Sequence, residues 1–399
     1  MTTPASPDVL LGLDSLLTAD EIDTAATVRA FVDDRVRPHI ARWYLDGTLP
    51  VRELALGLGG LGVLGMQHRG YGCAGTTATM YGVACRELEA VDAGLRSLVS
   101  VQGSLAMTAL HLFGSEAHKQ RWLPPLASGE AVGCFALTEP DAGSDPGSMR
   151  TRARRDGAGE HADWVLDGEK MWITNAPVAD VAVVWAKADT ASGARVVRGF
   201  VVPLDLPGVT VTEVPGKLSL RASVTGSVAL SGVRLPHDAV LPEVHGLRGP
   251  LQCLNEARFG IVWGAVGSMR ETLTSALAYA GTRVQFGRPV SGFQLTQAKL
   301  ADATAAYAAA TALAVHLGRL KDAGRLTPAQ VSVGKLANVR AALEVARSMR
   351  TILGGAGITA DHPPMRHAAN LETVLTYEGT QEVHQLAVGQ ALTGISAFS

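Results

Sequence analysis

From about residue 18 to residue 129, apolar and polar positions alternate at the spacing of helices. Asp20-Glu21 opens one helix, Leu54-Ala55-Leu56 lies in another, and residues 80–98 mix apolar and charged positions with the same period. From about residue 132 to residue 241 the pattern shortens to β-branched runs such as Val181-Ala182-Val183-Val184-Trp185 and Gly199-Phe200-Val201-Val202-Pro203. Gly, Pro and Asp punctuate these runs, as between antiparallel strands. Residues 150–163, rich in Arg, Gly and Asp, read as an exposed turn or hairpin. After Gly249 the helical period returns, and nine of the fourteen residues from 301 to 314 are Ala, the strongest helix former. Long helices with one apolar stripe predict a bundle. The order helices, strands, helices predicts an α+β fold in three parts: a helical region at 1–130, an antiparallel β-region at 131–243 and a helical bundle at 244–399.

Composition narrows the class. A chain of 399 residues exceeds what one core usually holds, and 47% hydrophobic with 18% charged residues describes a globular protein rather than a disordered one. No uninterrupted apolar run approaches the roughly 18 residues of a membrane span. The start, Met1-Thr2-Thr3-Pro4-Ala5-Ser6-Pro7-Asp8, shows neither a basic region before an apolar run nor an Arg-rich presequence, so a cytoplasmic enzyme is expected. The net charge of −2, with basic residues spread along the chain, gives no footprint for nucleic acid. Cys73, Cys85, Cys134 and Cys253 form no Cys-x-x-Cys pair and are expected to be buried thiols; the eleven histidines show no ligand spacing, so no metal is expected.

Candidate chemistry concentrates near the C-terminus. Leu371-Glu372-Thr373-Val374-Leu375-Thr376-Tyr377-Glu378-Gly379-Thr380 follows the glycine cluster Leu353-Gly354-Gly355-Ala356-Gly357-Ile358. Alone, Tyr-Glu-Gly-Thr is a short motif whose Glu is most often a surface carboxylate. Two further segments change that: Cys134-Phe135-Ala136-Leu137-Thr138-Glu139-Pro140-Asp141-Ala142-Gly143-Ser144-Asp145, and Lys170-Met171-Trp172-Ile173-Thr174-Asn175 about thirty residues later. Together they resemble the acyl-CoA dehydrogenases. Met365-Arg366-His367-Ala368-Ala369-Asn370-Leu371-Glu372 and the ending Leu392-Thr393-Gly394-Ile395-Ser396-Ala397-Phe398 resemble the glutaryl-CoA dehydrogenase branch.

The resemblance implies FAD as cofactor. It assigns Thr138 to the flavin pyrimidine edge, Ser144 to flavin phosphate or substrate, Trp172 to the isoalloxazine and Thr174 to flavin N5, and it counts Thr380 with the cofactor site. Arg283-Val284-Gln285-Phe286-Gly287-Arg288-Pro289-Val290 with Gln294 resembles the family segment that reaches the neighbouring subunit's FAD, and a guanidinium fork suits its pyrophosphate. A homotetramer, built as a dimer of dimers, is therefore implied. Gly354 and Gly355 allow close backbone approach to the dinucleotide. Ala356, where the family usually has Asn, and Ala109, where the branch usually has Pro, are departures.

For the chemistry, the resemblance makes Glu378 the base. Removing a weakly acidic α-proton while a β-hydride leaves requires a carboxylate in a dry site and a polarised thioester carbonyl. Arg258, in Asn255-Glu256-Ala257-Arg258-Phe259, matches a family Arg near the base, and it is equally readable as a surface ion pair. In Arg86-Glu87-Leu88-Glu89-Ala90-Val91-Asp92-Ala93-Gly94-Leu95-Arg96-Ser97, the branch implies that Arg96 and Ser97 bind a distal carboxylate, that Glu89 orients Arg96, and that Tyr377 assists loss of CO2. The alternative for Arg96 is an i,i+4 pair with Asp92. The expected activity is oxidative decarboxylation of glutaryl-CoA to crotonyl-CoA, with an electron-transfer flavoprotein as acceptor. A non-decarboxylating or short-chain dehydrogenase, acting on CoA or carrier-protein thioesters, stays open, as does a flavin-free helical interaction protein.

Overall fold

The computed structural model describes residues 6–157, 159, 161–190 and 194–398. The expectation drawn from the first residues of the chain falls mostly outside that set. Helices α1 (Pro7–Leu11), α2 (Ala19–Arg35), α3 (Ile40–Asp46), α4 (Val51–Gly60), α5 (Ala78–Val91), α6 (Ala93–Val99), α7 (Thr108–Phe113) and α8 (Glu116–Ser128) make the first part, with a small β1 (Arg69–Gly70), β2 (Cys73–Ala74) hairpin. A π-helix, Ser100–Met107, joins α6 to α7. Thr18 opens α2 through a reciprocal capping box with Glu21, which satisfies donors that the first helical turn leaves unpaired.

The helical pattern over residues 80–98 is broken at Asp92. Its backbone is extended (φ −163°, ψ 141°) and its carboxylate accepts the Gly94 N–H at 2.8 Å, so α5 ends and α6 restarts in a new direction. In an unbroken helix Glu89 and Arg96 would lie about 10 Å apart along the axis. The break lets them meet.

The middle part is a curled seven-stranded sheet in the order β3 (Gly133–Ala136), β6 (Val181–Asp189), β4 (Arg152–Asp156), β5 (Asp163–Thr174), β9 (Thr225–Leu235), β8 (Val209–Glu213), with β7 (Arg195–Pro203) on the other edge of β6. Most pairings are antiparallel, as expected, but β3 and β4 both run parallel to β6, along successive stretches of it. The hairpin expected at 150–163 forms between β4 and β5; residues 158 and 160 lie outside the described set. Strand β5 loses register between Lys170 and Ile173, and Trp172 in that irregularity has φ +63°.

The last part consists of α9 (Arg248–Thr282), α10 (Gln294–Asp322), α11 (Pro328–Ile352) and α12 (Pro363–Thr376) packed together, with α13 (Gln381–Thr393) against α11. A short hairpin, β10 (Val284–Gln285) and β11 (Arg288–Pro289), connects α9 to α10. By length and composition α10 is apolar enough to cross a membrane, but here it packs on α9, α11 and α5, and its alanines keep those axes close. The principal core ignores the sequence zones. Tyr81, Leu88 and Leu95 from the first part and Trp263, Val266, Ala342 and Leu371 from the last belong to one buried cluster. Cys85, Cys134 and Cys253 are buried free thiols as expected, and Cys73 is half-buried.

Candidate active site

Glu378 sits in the turn between α12 and α13. The turn is tight: Glu378 has φ +53° and Gly379 φ +96°, a left-handed pair that a non-glycine residue enters only when its surroundings hold it there. Two cationic groups supply that hold. Arg258 Nε donates to the Glu378 carbonyl at 2.7 Å, and Lys335 Nζ donates to the carbonyls of Tyr377 and Gly379, the second at 2.6 Å. Arg258 thus lies beside the candidate base, Glu378. The Glu378 side chain ends in a buried Oε2 with no hydrogen-bond partner among the described residues. Burial raises its carboxyl above the ordinary carboxylate range, against the opposing pull of Arg96, Lys335 and Arg258. A carboxylate so placed is short of hydrogen bonds and therefore a stronger base.

Arg96 lies beside this turn and is fully buried. Its Nε donates to Glu89 Oε2 at 2.7 Å and its Nη2 donates to the Tyr377 hydroxyl, which also meets Ser97 Oγ at 3.3 Å. Nη1 has no partner. Burial pushes the Tyr377 hydroxyl up to about 12, so it remains a neutral donor and acceptor. Pairing of Arg96 with Asp92 does not occur: Asp92 faces Arg366 Nε at 3.1 Å and accepts from Asn370 at 3.0 Å. The break at Asp92 is the reason, because its side chain is used to cap α6 and faces α12. The Arg96–Glu89 pair fits only because residue 264 on α9 is glycine; a Cβ there would stand 2.2 Å from Glu89 Oε2.

The flavin candidates gather on the sheet. The Met171 N–H donates to the Thr138 carbonyl at 2.9 Å, which brings the two sequence segments side by side. Beneath them, Lys170 Nζ is buried and donates to Glu139 at 2.8 Å and to the Leu137 carbonyl at 3.0 Å, fixing both strands from below. Glu139 in turn accepts the N–H groups of Arg150 and Thr151, which folds back the loop that carries the exposed Ser144. Trp172 is 57% exposed, an unusual amount for an indole in mid-strand. No described residue hydrogen-bonds the hydroxyls of the half-buried Thr138 and Thr174. An uncovered indole held at positive φ on a strand that also carries Thr174, next to the Thr138 segment, fits a flat heteroaromatic ring with polar edges, so Thr138, Trp172 and Thr174 would hold the flavin of FAD.

The remaining cofactor candidates are not gathered there. Arg283, Gln285 and Phe286 lie exposed on the β10–β11 hairpin, with Phe286 at 95% exposure and φ +52°, and Gln294 is the exposed first residue of α10. Among the described residues no hydrogen bond joins them to Thr138 or Trp172. Gly354, at φ +57°, and Gly355 are exposed and a Cβ on either would meet nothing, so their backbone is open to approach. Thr380 Oγ1 accepts the Val383 N–H at 3.3 Å and caps α13.

Three residues of the candidate site escaped the sequence reading: Lys335 and His384 beside Glu378, and Gly264 against the Arg96–Glu89 pair. His384 is buried, meets Ser332 Oγ at 3.0 Å, and its Nε2 would stand 2.9 Å from a Cβ on Gly379. For Lys335 a signal existed. It lies at helical spacing with Val331, Ser332, Asn338 and Val339, all buried, so its ammonium is placed on the core face of α11.

Comparison with known proteins gives the family. The chain matches the acyl-CoA dehydrogenase N-terminal domain over residues 18–130, the middle domain over 134–233 and the C-terminal domain over 245–393. It is 35% identical to the human mitochondrial short-chain specific acyl-CoA dehydrogenase over 364 residues, covering 91% of this chain and 87% of that one. A crystal structure of glutaryl-CoA dehydrogenase from Mycobacterium smegmatis superposes with a TM-score of 0.95 at 60% identity, covering 99% of this chain and 100% of that one. A second, a glutaryl-CoA dehydrogenase from the same organism in complex with FADH2, does so with a TM-score of 0.95 at 56% identity over the same shares. With its three domains matched in order, the chain belongs to the FAD-dependent acyl-CoA dehydrogenase family.

Proposed function

We propose that this chain oxidises and decarboxylates glutaryl-CoA to crotonyl-CoA and CO2, with Glu378 as the base. The observation that carries the substrate is the unpartnered Nη1 of Arg96. A buried donor left without a partner costs about 1–3 kcal/mol, and more when charged. A carboxylate at the far end of the acyl group relieves that cost, whereas an acyl group ending in methyl does not. The two glutaryl-CoA dehydrogenase structures, at 60% and 56% identity, support the same substrate class.

The chain's own groups then have defined tasks. Glu378, desolvated and short of hydrogen bonds, takes the α-proton. Trp172, Thr138 and Thr174 would hold the flavin of FAD, which would supply the acceptor for the β-hydride. Arg96, with Ser97 and Tyr377, keeps the distal carboxylate aligned while the new double bond conjugates with the thioester. The bond between the γ-carbon and the carboxylate breaks, CO2 leaves, and the electron pair passes into the thioester as a dienolate. Glu378 returns its proton to the γ-carbon, giving crotonyl-CoA. An electron-transfer flavoprotein is the acceptor we infer, and a homotetramer the working form; the exposed hairpin bearing Arg283, Gln285 and Phe286, with Gln294 beside it, is available to a neighbouring chain.

Turnover on glutaryl-, butyryl- and isobutyryl-CoA with a dye acceptor, together with CO2 release, tests the substrate. Glutaryl-CoA should be preferred and should yield one CO2 per turnover; preference for butyryl-CoA would replace this substrate with a short-chain one. Glu378→Gln should keep bound FAD and lose about 10²-fold or more in rate, since an amide preserves shape and cannot accept the proton. Parental turnover in that variant removes Glu378 from the role of base.

A further inference from the structure

Glu378 can act only from a backbone conformation that it would not choose by itself. Its φ of +53° lies in the left-handed region, and the residue after it is also at positive φ. Such a turn persists when its surroundings over-determine it. The carbonyls before and after Glu378, those of Tyr377 and Gly379, both accept from one buried group, Lys335 Nζ. Lys335 comes from the middle of α11, an element that carries none of the residues assigned above, and its chain is 2% exposed. A Lys in a bundle core is costly to bury, and no carboxylate forms an ion pair with it among the described residues.

We propose that Lys335 is a positioning residue for the dehydrogenation. Its ammonium clamps the carbonyls on both sides of Glu378, holds that residue in the left-handed turn, and supplies a positive charge that keeps the carboxylate available as a base. The proposal rests on Glu378 being the base. Two effects are separable. The clamp is geometric and needs only two N–H donors. The charge is electrostatic and needs the ammonium. The charged and titratable groups around the ammonium are Glu378, Arg258 and Arg96, with His384 and Tyr377 on the elements packed beside it. Burial lowers the proton affinity of Lys335, and the Glu378 charge opposes that lowering. Burial raises that of Glu378, and the Lys335 charge opposes that rise.

The test uses the FAD-loaded enzyme and, as substrate, whichever of glutaryl-CoA or butyryl-CoA the parent turns over. Lys335→Met removes both effects; Lys335→Gln keeps two amide N–H donors and removes the charge. We expect Lys335→Met to lose about 10²-fold in kcat, the scale of a roughly 1 Å misplacement of a reacting group, with KM little changed. Lys335→Gln should recover a large part of that loss. In both variants the acid limb of the kcat/KM profile should move to higher pH, because a positive charge that favoured the carboxylate form has gone. Bound FAD and the dye reoxidation of dithionite-reduced flavin, neither of which needs Glu378, should match the parent. An acid limb at the parental pH in both variants overturns the electrostatic part, and equal kcat losses for Met and Gln overturn the clamp. Loss of FAD and of dye reoxidation in step with kcat makes Lys335 a general core residue and overturns the whole. Parental activity in Glu378→Gln would instead remove the premise, and that outcome is distinct from all of these.

Discussion

Two glutamates on α5, Glu87 and Glu89, are separated by one residue, both fully buried, both facing guanidinium groups, and they end in opposite situations. Glu87 is saturated: Arg270 forks onto it at 2.7 and 2.6 Å, Arg29 reaches it at 3.0 and 3.3 Å, and Arg86 closes the cluster at 3.0 Å. These guanidinium groups hold its carboxyl well below the usual range although burial alone would raise it. Glu89 binds one arginine through one atom, with Ser268 on its other oxygen, and Arg96 is left with a spare donor. A satisfied buried network joins α2, α5 and α9 and has nothing left to offer a ligand. An unsatisfied one, beside the Glu378 carboxylate whose Oε2 has no hydrogen-bond partner among the described residues, can still take up a ligand. Burial of charge therefore does not distinguish these two glutamates; the donor left unused beside Glu89 does.

The largest effect that would break this comparison is on stability. Glu87→Gln leaves three guanidinium groups without their counter-charge, and unfolding by denaturant should show a loss of about 3–5 kcal/mol. The ratio of kcat/KM for glutaryl-CoA to that for butyryl-CoA should stay as in the parent. A changed ratio with unchanged stability would put Glu87 in the substrate pocket.

Arg96→Met should do the reverse. Glutaryl-CoA should lose about 2–5 kcal/mol in kcat/KM, the cost of truncating one partner of a buried charge pair, while butyryl-CoA holds or improves. Equal losses on the two substrates would make Arg96 as structural as the Glu87 cluster.

A smaller effect is expected of Gly264→Ala. Its new Cβ would press on Glu89 Oε2 and stand 3.2 Å from Arg96 Nε, so an overpacking cost of about 1–3 kcal/mol falls on the pair itself. Selectivity for glutaryl-CoA over butyryl-CoA should fall in proportion, and unchanged selectivity would show that the pair has slack.

The mildest test is by pH. Because the folded state depresses the Glu87 carboxyl below its unfolded value of about 4.3, its contribution is present above that value and is lost as pH falls through the acid range. Acid unfolding of Glu87→Gln should accordingly be shallower than that of the parent between about pH 5 and pH 2, and identical slopes would mean that Glu87 is not the titrating group.

The sequence by itself determined the helix, strand, helix order, because the hydrophobic period is a local property that each segment carries alone. It also placed Glu378, Thr138, Trp172 and Thr174 on recognisable local segments, and the structure then set two of those segments side by side through one hydrogen bond, from Met171 to Thr138. Which partner each charge takes was a matter of tertiary structure. Helical spacing pairs Arg96 with Asp92, and only the restart of α6 at Asp92 turns Arg96 back onto Glu89. Arg96 meets Tyr377 across 281 positions, and Arg258 meets Glu378 across 120. The space left by Gly264 and the clamp formed by Lys335 have the same origin. An unused donor, a missing Cβ and a shared carbonyl clamp exist only between elements that are distant in the chain, so no periodicity within a segment records them. The physical reason is range: propensity and amphipathic period act over a few residues, whereas desolvation and hydrogen-bond satisfaction are decided by whatever packs against the group.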